Sequence, residues 1–255
     1  MIKQKTEREI ELMRHAGKLA AAARQEAGKL VEVGATTQGI DRKVHEFIIS
    51  HGAVPTFLHY RGYPASVCIS VNEQVIHGIP SSRKLVLGDV VSIDVGVTKD
   101  GYIGDCAATY IAGQGSRESE RLIEITRKCF FEGLKFARKE YRVSDISRAV
   151  QACAEENGYS VVREFVGHGV GSKLHEPPEV PNFIENPRRK ADPRLIPGMT
   201  IAVEPMINGG GAEIKVLSDG WTVITADGKN SAHYENTILI TEGDPEILTV
   251  YGDLP

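Results

Sequence analysis

Four acidic side chains lie inside apolar runs of strand-like periodicity, where acids are seldom placed. Asp94 ends the run Gly88-Asp89-Val90-Val91-Ser92-Ile93-Asp94, and Asp105 follows in Tyr102-Ile103-Gly104-Asp105. Glu204 ends Gly198-Met199-Thr200-Ile201-Ala202-Val203-Glu204, and Glu235 lies in His233-Tyr234-Glu235-Asn236 after Asp227-Gly228, which reads as a hairpin turn. One such acid alone is best read as a solvated surface group. Four are not, because Asp and Glu fit strands poorly and burying unpaired carboxylates costs roughly several kcal/mol apiece. Two divalent cations would balance the four negative charges, and a neutral imidazole would complete the donor set. His168, flanked by Gly167, Gly169 and Gly171, is the candidate nitrogen donor. Carboxylate-rich ligation with one imidazole suits Mn, Fe, Co or Zn and does not decide among them.

The elements that must position these donors recur on one plan. Thr6 and Glu9 form a capping-box pattern opening a helix whose apolar face carries Ile10, Met13, Ala16, Ala20, Ala27 and Leu30. Ser116, followed by Glu118 and Glu120, opens a similar helix with Leu122, Ile125, Cys129, Gly133 and Phe136. A second helix follows in each half, Ile40-Asp41-Arg42-Lys43-Val44 answering Ile146-Ser147-Arg148-Ala149-Val150, and His51-Gly52 answering Asn157-Gly158. Strands come next. Val75-Ile76-His77-Gly78 answers Val166-Gly167-His168-Gly169, and the runs ending in Asp94 and Glu204 answer each other. A degenerate repeat of this length predicts an α+β fold of two helix-helix-sheet halves related by a pseudo-twofold, their sheets joined across one core. The expected organisation is one catalytic domain over 1–255, with pseudo-repeats at about 6–113 and 116–250.

Side chains alternate along a strand, so Val90, Ser92, Asp94 and Gly96 share a face opposite Val91, Ile93, Val95 and Val97. Read as one strand, 199–206 puts Thr200, Ala202, Glu204 and Met206 together, opposite Ile201 and Val203. The two halves then aim equivalent acids into one cleft.

Composition narrows the class. The 255-residue chain is 41% hydrophobic and 25% charged, with a net charge of −4 and no long Lys/Arg run. This predicts a globular protein with no nucleic acid partner and no membrane partner. No apolar stretch is long enough to span a bilayer and the N-terminal residues are too charged for a secretory signal, so a cytoplasmic location is expected. Cys68, Cys106, Cys129 and Cys153 lack CxxC spacing and read as reduced, buried thiols. Gly209-Gly210-Gly211 reads as a turn and not a phosphate cradle. Pro177-Pro178 is expected in a loop near the cleft, and Asn186-Pro187-Arg188-Arg189-Lys190 as a solvated basic patch that leaves a ribosome contact open.

The donor strings IDVGVTKDGYIGD, FVGHGVG, GMTIAVEPM and HYENT, with the segments HGIP, LHEPPEVPN and DGWTV, resemble the type I methionine aminopeptidases over nearly the whole chain. The resemblance implies the pita-bread fold, with a central antiparallel sheet between the halves. It implies that Asp94 binds one metal, that His168 and Glu204 bind the other, and that Asp105 and Glu235 bridge the pair. Two cations roughly 3.5–4 Å apart share a water and yield a hydroxide nucleophile near neutral pH. By the same resemblance Glu204 carries the proton, His77 lies near the scissile amide, and His175 donates to the substrate carbonyl or the oxyanion. The implied partner is the N-terminus of nascent polypeptides, acted on by a monomer, with methionine removed when the second residue is small.

Tyr60, Arg61, Gly62 and Tyr63, together with Cys68 and Trp221, resemble the family's methionine pocket, where aromatic rings and sulfur suit a thioether. Phe57 stands where bacterial relatives often carry a small residue, and Leu174 where an aromatic is common. The bland reading is neutral drift of the core. The sharper one is an exchange of bulk between two pocket walls. A proline-directed peptidase of the same fold would keep all five ligands, but its relatives usually carry an extra N-terminal domain, whereas this chain enters its first repeat within about ten residues. A metal-free binding protein on this fold would lack ligands that are present here.

Overall fold

The computed structural model describes residues 2–184 and 192–251; the basic patch at 186–190 lies outside the described residues. Helix α1 (Glu7–Lys29) begins at the expected capping box: Thr6 Oγ1 accepts the Glu9 N–H, and Glu9 Oε2 accepts the Thr6 N–H. Helix α2 (Thr37–Ser50) follows, then strands β1 (Val54–Pro55), β2 (Cys68–Val71), β3 (Gln74–Ile76), β4 (Val90–Lys99) and β5 (Tyr102–Ile111). The second round opens with α3 (Arg117–Leu134), capped by Ser116, and α4 (Val143–Glu156). It continues through β6 (Ser160–Val161), β7 (Gly167–Gly169), β8 (Glu176–Val180), β9 (Thr200–Val203), β10 (Met206–Asn208), β11 (Ile214–Val216), β12 (Val223–Thr225), β13 (Ser231–His233), β14 (Asn236–Leu239) and β15 (Glu246–Ile247). No helix among the described residues is long and apolar enough to cross a membrane.

Matched positions of the two rounds share backbone conformation as well as residue type. Gly52 and Gly158 follow α2 and α4 with φ of 63° and 82°, and Gly88 and Gly198 precede β4 and β9 with φ of 89° and 87°. These left-handed values favour glycine, which is why it recurs there.

Strand pairing is antiparallel throughout the described residues. Strand β4 lies between β5 and β2, with β1 also along it, and a second sheet runs β15-β14-β9-β7-β8. Each sheet turns one face to its own helices. Val91, Ile93, Val95 and Val97 pack with Ala20 and Ala23 of α1 and with Ile40, Val44 and Ile48 of α2. Ile201 and Val203 pack likewise with Leu122 and Cys129 of α3 and Ile146 and Val150 of α4. Each such buried aliphatic side chain contributes roughly 1.5–3 kcal/mol, so parity is fixed by the cores and the even-numbered positions must face the other way. All four cysteines are buried free thiols.

The halves join along β5. Ala107 and Glu235 exchange backbone hydrogen bonds at 3.2 and 3.0 Å, Thr237 Oγ1 bonds both the N–H and the carbonyl of Asp105, and Thr109 Oγ1 does the same for His233. Helix α1 crosses this seam closely: a Cβ on Gly104 would lie 2.5 Å from Gly17 Cα, and one on Gly17 would lie 2.4 Å from the Leu248 carbonyl oxygen.

Three local expectations are corrected. The run 199–206 is not one strand: β9 ends at Val203, and β10 starts at Met206 in a different sheet. Pro205 lacks the N–H needed to continue a ladder. Gly228 turns the chain with φ 75°, but β12 pairs with β11 and β3 while β13 pairs with β10, so Asp227-Gly228 closes no hairpin. Pro177 and Pro178 lie in β8 at a sheet edge and not in a loop, which suits residues that cannot donate inward.

Gly17→Ala is expected to cost about 1–3 kcal/mol of unfolding free energy in urea, because the added methyl meets backbone that cannot rotate away. An unchanged midpoint would show that α1 slides free of Leu248.

Candidate metal centre

The β4–β5 hairpin turns at Asp100-Gly101, both with positive φ (50° and 81°), the primed-turn geometry that matches strand twist. This turn sets the register. Asp94 stands opposite Ala107 and Gly96 opposite Asp105, which puts the two aspartates on one face as diagonal neighbours. The seam then sets Glu235, in the joint between β13 and β14, beside Asp105 through the Ala107 pairing. His168 comes from β7, where it pairs with Ala202 of β9, and Glu204 follows at the β9–β10 break. All thirteen side chains singled out in the sequence line one cleft of about 250 Å³: Phe57, Tyr60, Tyr63, Cys68, His77, Asp94, Asp105, His168, Leu174, His175, Glu204, Trp221 and Glu235.

The donors crowd without bonding one another well. One ligand atom each of Asp105, His168 and Glu235 lies within 4.8 Å of the other two. His168 Nε2 is 3.8 Å from Asp105 Oδ2 and 3.6 Å from Glu204 Oε1, too far for hydrogen bonds. Such gaps match the roughly 3–4 Å expected between two atoms that each sit about 2.1 Å from a shared cation. Asp94 Oδ1 and Asp105 Oδ1 are buried with no hydrogen-bond partner among the described residues. His168 Nδ1 lies 2.9 Å from the Gly169 carbonyl, which it meets as an N–H donor, leaving the Nε2 lone pair directed at the acids. Burial pushes the Asp94 carboxyl up to about 7, and raises Asp105, Glu204 and Glu235 well above the usual carboxylate range, with mutual repulsion adding to it. Burial lowers His168 to about 3.

The sequence profile of Metallopeptidase family M24 matches residues 11–242. The chain is also 52% identical to a methionine aminopeptidase of Clostridium perfringens, over 98% of this chain and 99% of that one. The chain belongs to the methionine aminopeptidases of family M24. Methionine aminopeptidase 1 of Bacillus subtilis is 47% identical, again over 98% and 99% of the two chains. The crystal structure of methionine aminopeptidase from Rickettsia prowazekii superposes with a TM-score of 0.95 at 40% identity, covering 98% of this chain and all of that one, and carries the same pita-bread arrangement. An M24 metallopeptidase uses divalent metal. The residues here fit one, since unpartnered buried carboxylate oxygens and a free imidazole nitrogen converge where a cation would offset their charge.

The remaining side chains of the cleft ring the donors. His175 Nδ1 is 2.7 Å from Tyr60 Oη, and its ring centroid lies 4.3 Å from that of His168. His77 follows β3 with φ 58° and stands edge-on to Phe165 and Trp221; burial lowers it to about 4. Trp221 also meets Tyr63 edge-on at 5.1 Å. Phe57 covers Gly96, where a Cβ would lie 2.5 Å from its ring, and shares one apolar cluster with Leu174, Cys68 and Tyr63. Arg61, named above with the pocket segment, also lines the cleft, and Ile76, Phe165 and Val166 line it without having been singled out as lining it. His233 also escaped notice. Its Nε2 lies 3.7 Å from Glu204 Oε2 with no hydrogen-bond partner among the described residues, and its position two before Glu235 was the available signal.

Metal loading near pH 7 is expected to release protons, because the raised carboxyls hold them in the metal-free site. The sign is fixed by linkage. Asp94, raised from 3.8 to about 7, stabilises metal-free protein below about 4, and that contribution is lost as pH rises through about 7. His168, lowered from 6.5 to about 3, acts oppositely, its contribution being present above 6.5 and lost as pH falls toward 3. Because the two oppose in a melting curve, proton release is the cleaner readout. Calorimetric Mn²⁺ titrations in buffers of different ionisation enthalpy should give buffer-dependent heats; identical heats would contradict the protonated site.

Proposed function

We propose that this chain releases N-terminal methionine from peptides and nascent proteins when the second residue is small. The observation that carries the reading is one cleft shared by five metal-type donors and an apolar wall of aromatic and sulfur side chains. Asp94 would hold one metal, His168 and Glu204 the second, and Asp105 and Glu235 both. When bound, a pair of divalent ions of Co, Mn, Fe or Zn supplies an acidic water for attack and a Lewis acid for the scissile carbonyl.

The chain's own groups supply the remaining steps. The Glu204 carboxylate takes the proton of the attacking water and passes it to the leaving amine. His175 Nδ1 lies 2.7 Å from Tyr60 Oη, and in the tautomer that accepts the Tyr60 O–H there, Nε2 carries the hydrogen and donates to the substrate carbonyl and the oxyanion that follows. His77, held neutral by burial, stands at the scissile amide. Tyr60, Tyr63, Cys68, Trp221, Phe57 and Leu174 enclose the methionine side chain. A volume of about 250 Å³ admits one terminal residue and crowds a bulky second side chain beside His77. On this reading residues 1–255 act as one catalytic domain, a cytoplasmic monomer working on chains as they are made, with ribosome contact left to experiment.

Peptide assays test this directly. Met-Ala-Ser should yield free methionine, Met-Lys-Ser and an X-Pro peptide should not, and chelator should remove the activity. Asp94→Asn and His168→Ala should lose most turnover while keeping a near-native Tm, since each weakens a metal ligand and not the core. Equal rates on the two methionyl peptides, or full activity without metal, would overturn the reading.

Phe57 and Leu174 test whether two walls of the pocket share one volume. Phe57→Cys leaves a void and Leu174→Phe overpacks unless Phe57 is trimmed, each costing about 1–3 kcal/mol in packing or transition-state fit. The double variant should recover part of that, with a coupling of about 0.5–3 kcal/mol in kcat/KM for a methionyl peptide. Additive effects would show that the two positions act independently.

A further inference from the structure

We propose that Lys5 is a positioning residue for His175, acting through Glu176 to hold the loop that carries the histidine. The segment between Gly169 and Glu176 has no helix or strand of its own, yet it delivers Leu174 and His175 into the cleft. His175 is exposed, and its side chain meets Tyr60 Oη and the His168 ring, so the rest of its placement depends on the backbone beneath it.

That backbone is tied from behind by the N-terminal segment. Lys5 is only 7% exposed, and its Nζ lies 2.7 Å from Glu176 Oε2. The other carboxylate oxygen accepts the Lys173 N–H at 3.2 Å, and the Gly171 N–H in turn meets the Lys173 carbonyl at 3.1 Å. The pair packs so tightly on the loop that a Cβ on Gly171 would lie 2.6 Å from both Glu176 Oε1 and Lys5 Cε. Lys5 is fixed in its own right: its N–H bonds the Gly198 carbonyl at 2.7 Å, Gln4 Nε2 bonds that of Pro197, and Thr6 caps α1. A buried ammonium and its carboxylate stand or fall together, since either left alone keeps an uncompensated charge. The clamp therefore joins the start of α1, the entry to β9 and the residue after His175 into one rigid unit, which transmits a fixed position to the imidazole.

The inference rests on the reading that His175 donates to the substrate, and the test separates the two. Metal-loaded enzyme is assayed on Met-Ala-Ser as Lys5→Met, Glu176→Gln and Lys5→Arg, each with and without His175→Ala. Lys5→Met should lower kcat about ten- to a hundredfold, as expected for a donor displaced by roughly an ångström, with KM and Mn²⁺ affinity nearly unchanged. Lys5→Arg should restore most of the rate. In the His175→Ala background Lys5→Met should add almost nothing. Should Lys5→Met not fold, Glu176→Gln is read in the same way. An equal loss with or without His175, an unchanged kcat, or a loss that tracks weakened metal binding would overturn the clamp. If His175→Ala alone leaves kcat unchanged, the donor role fails; if His175→Ala is severe and folded Lys5→Met is inert, only the clamp fails.

Discussion

Four carboxylates share one buried cleft, and two of their oxygens have no hydrogen-bond partner among the described residues. Left as charges they repel, so without metal they hold protons, and a bound cation takes the place of those protons. The rest of the structure can be read as what is required to force the acids together. Two separate apolar cores do the forcing. Each fixes the parity of the strands lying on it, and the acids occupy the face the core rejects. The seam along β5 then brings the faces together, because the Thr237 and Thr109 hydroxyls bond both backbone groups of Asp105 and of His233. A one-residue slip there would turn Asp105 out of the cleft.

The halves reach this end by different local means. In the first, a tight Asp100-Gly101 turn closes a regular hairpin of two ten-residue strands, and both acids project from unbroken strands. In the second, Pro205 interrupts the strand after Glu204, and Glu235 sits in the joint between β13 and β14. The interruption frees the Glu204 carboxylate from strict alternation, and it stands between the imidazoles of His168 and His233. On the proposed reading, in which Glu204 both binds metal and moves a proton, a break serves it better than a rigid ladder.

Much of this was legible in residue order, wherever a local rule had a single solution. Parity over 90–97 placed Asp94 correctly because Val91, Ile93, Val95 and Val97 leave no other face for the core. The paired glycines before β4 and β9 marked equivalent turns. The reading failed where pairing partners are remote. A period of two cannot report that 199–206 changes sheets, since Met206 keeps its parity while leaving β9's neighbours to pair with β13. Asp227-Gly228 carries a hairpin signature but joins strands that pair elsewhere, and Pro177-Pro178 looks like a loop until the edge of a sheet is known. That Gly96 needs a flat cover was implicit in its parity beside Asp94; that Phe57 provides the cover follows only from tertiary packing.

The repeat also shows how one motif came to hold two kinds of histidine. His77-Gly78 and His168-Gly169 occupy matched positions, and each glycine lies against backbone: a Cβ would meet Ile69 O at 2.3 Å after the first and Pro177 O at 2.4 Å after the second. The close approach is therefore common to both, and glycine is required by it whatever the histidine does. What differs is the backbone of the histidine. His168 lies inside β7, paired with Ala202, so its ring projects from a sheet beside the acids. His77 has left β3 with φ 58°, which swings its ring toward Phe165 and Trp221 on the apolar side of the cleft. Both are kept neutral by burial, but one faces the acids and the other faces the aromatic wall of the cleft. A single change of backbone region at equivalent positions thus separates a metal-type donor from a histidine packed among aromatic rings, with the surrounding glycines and strands unchanged in kind.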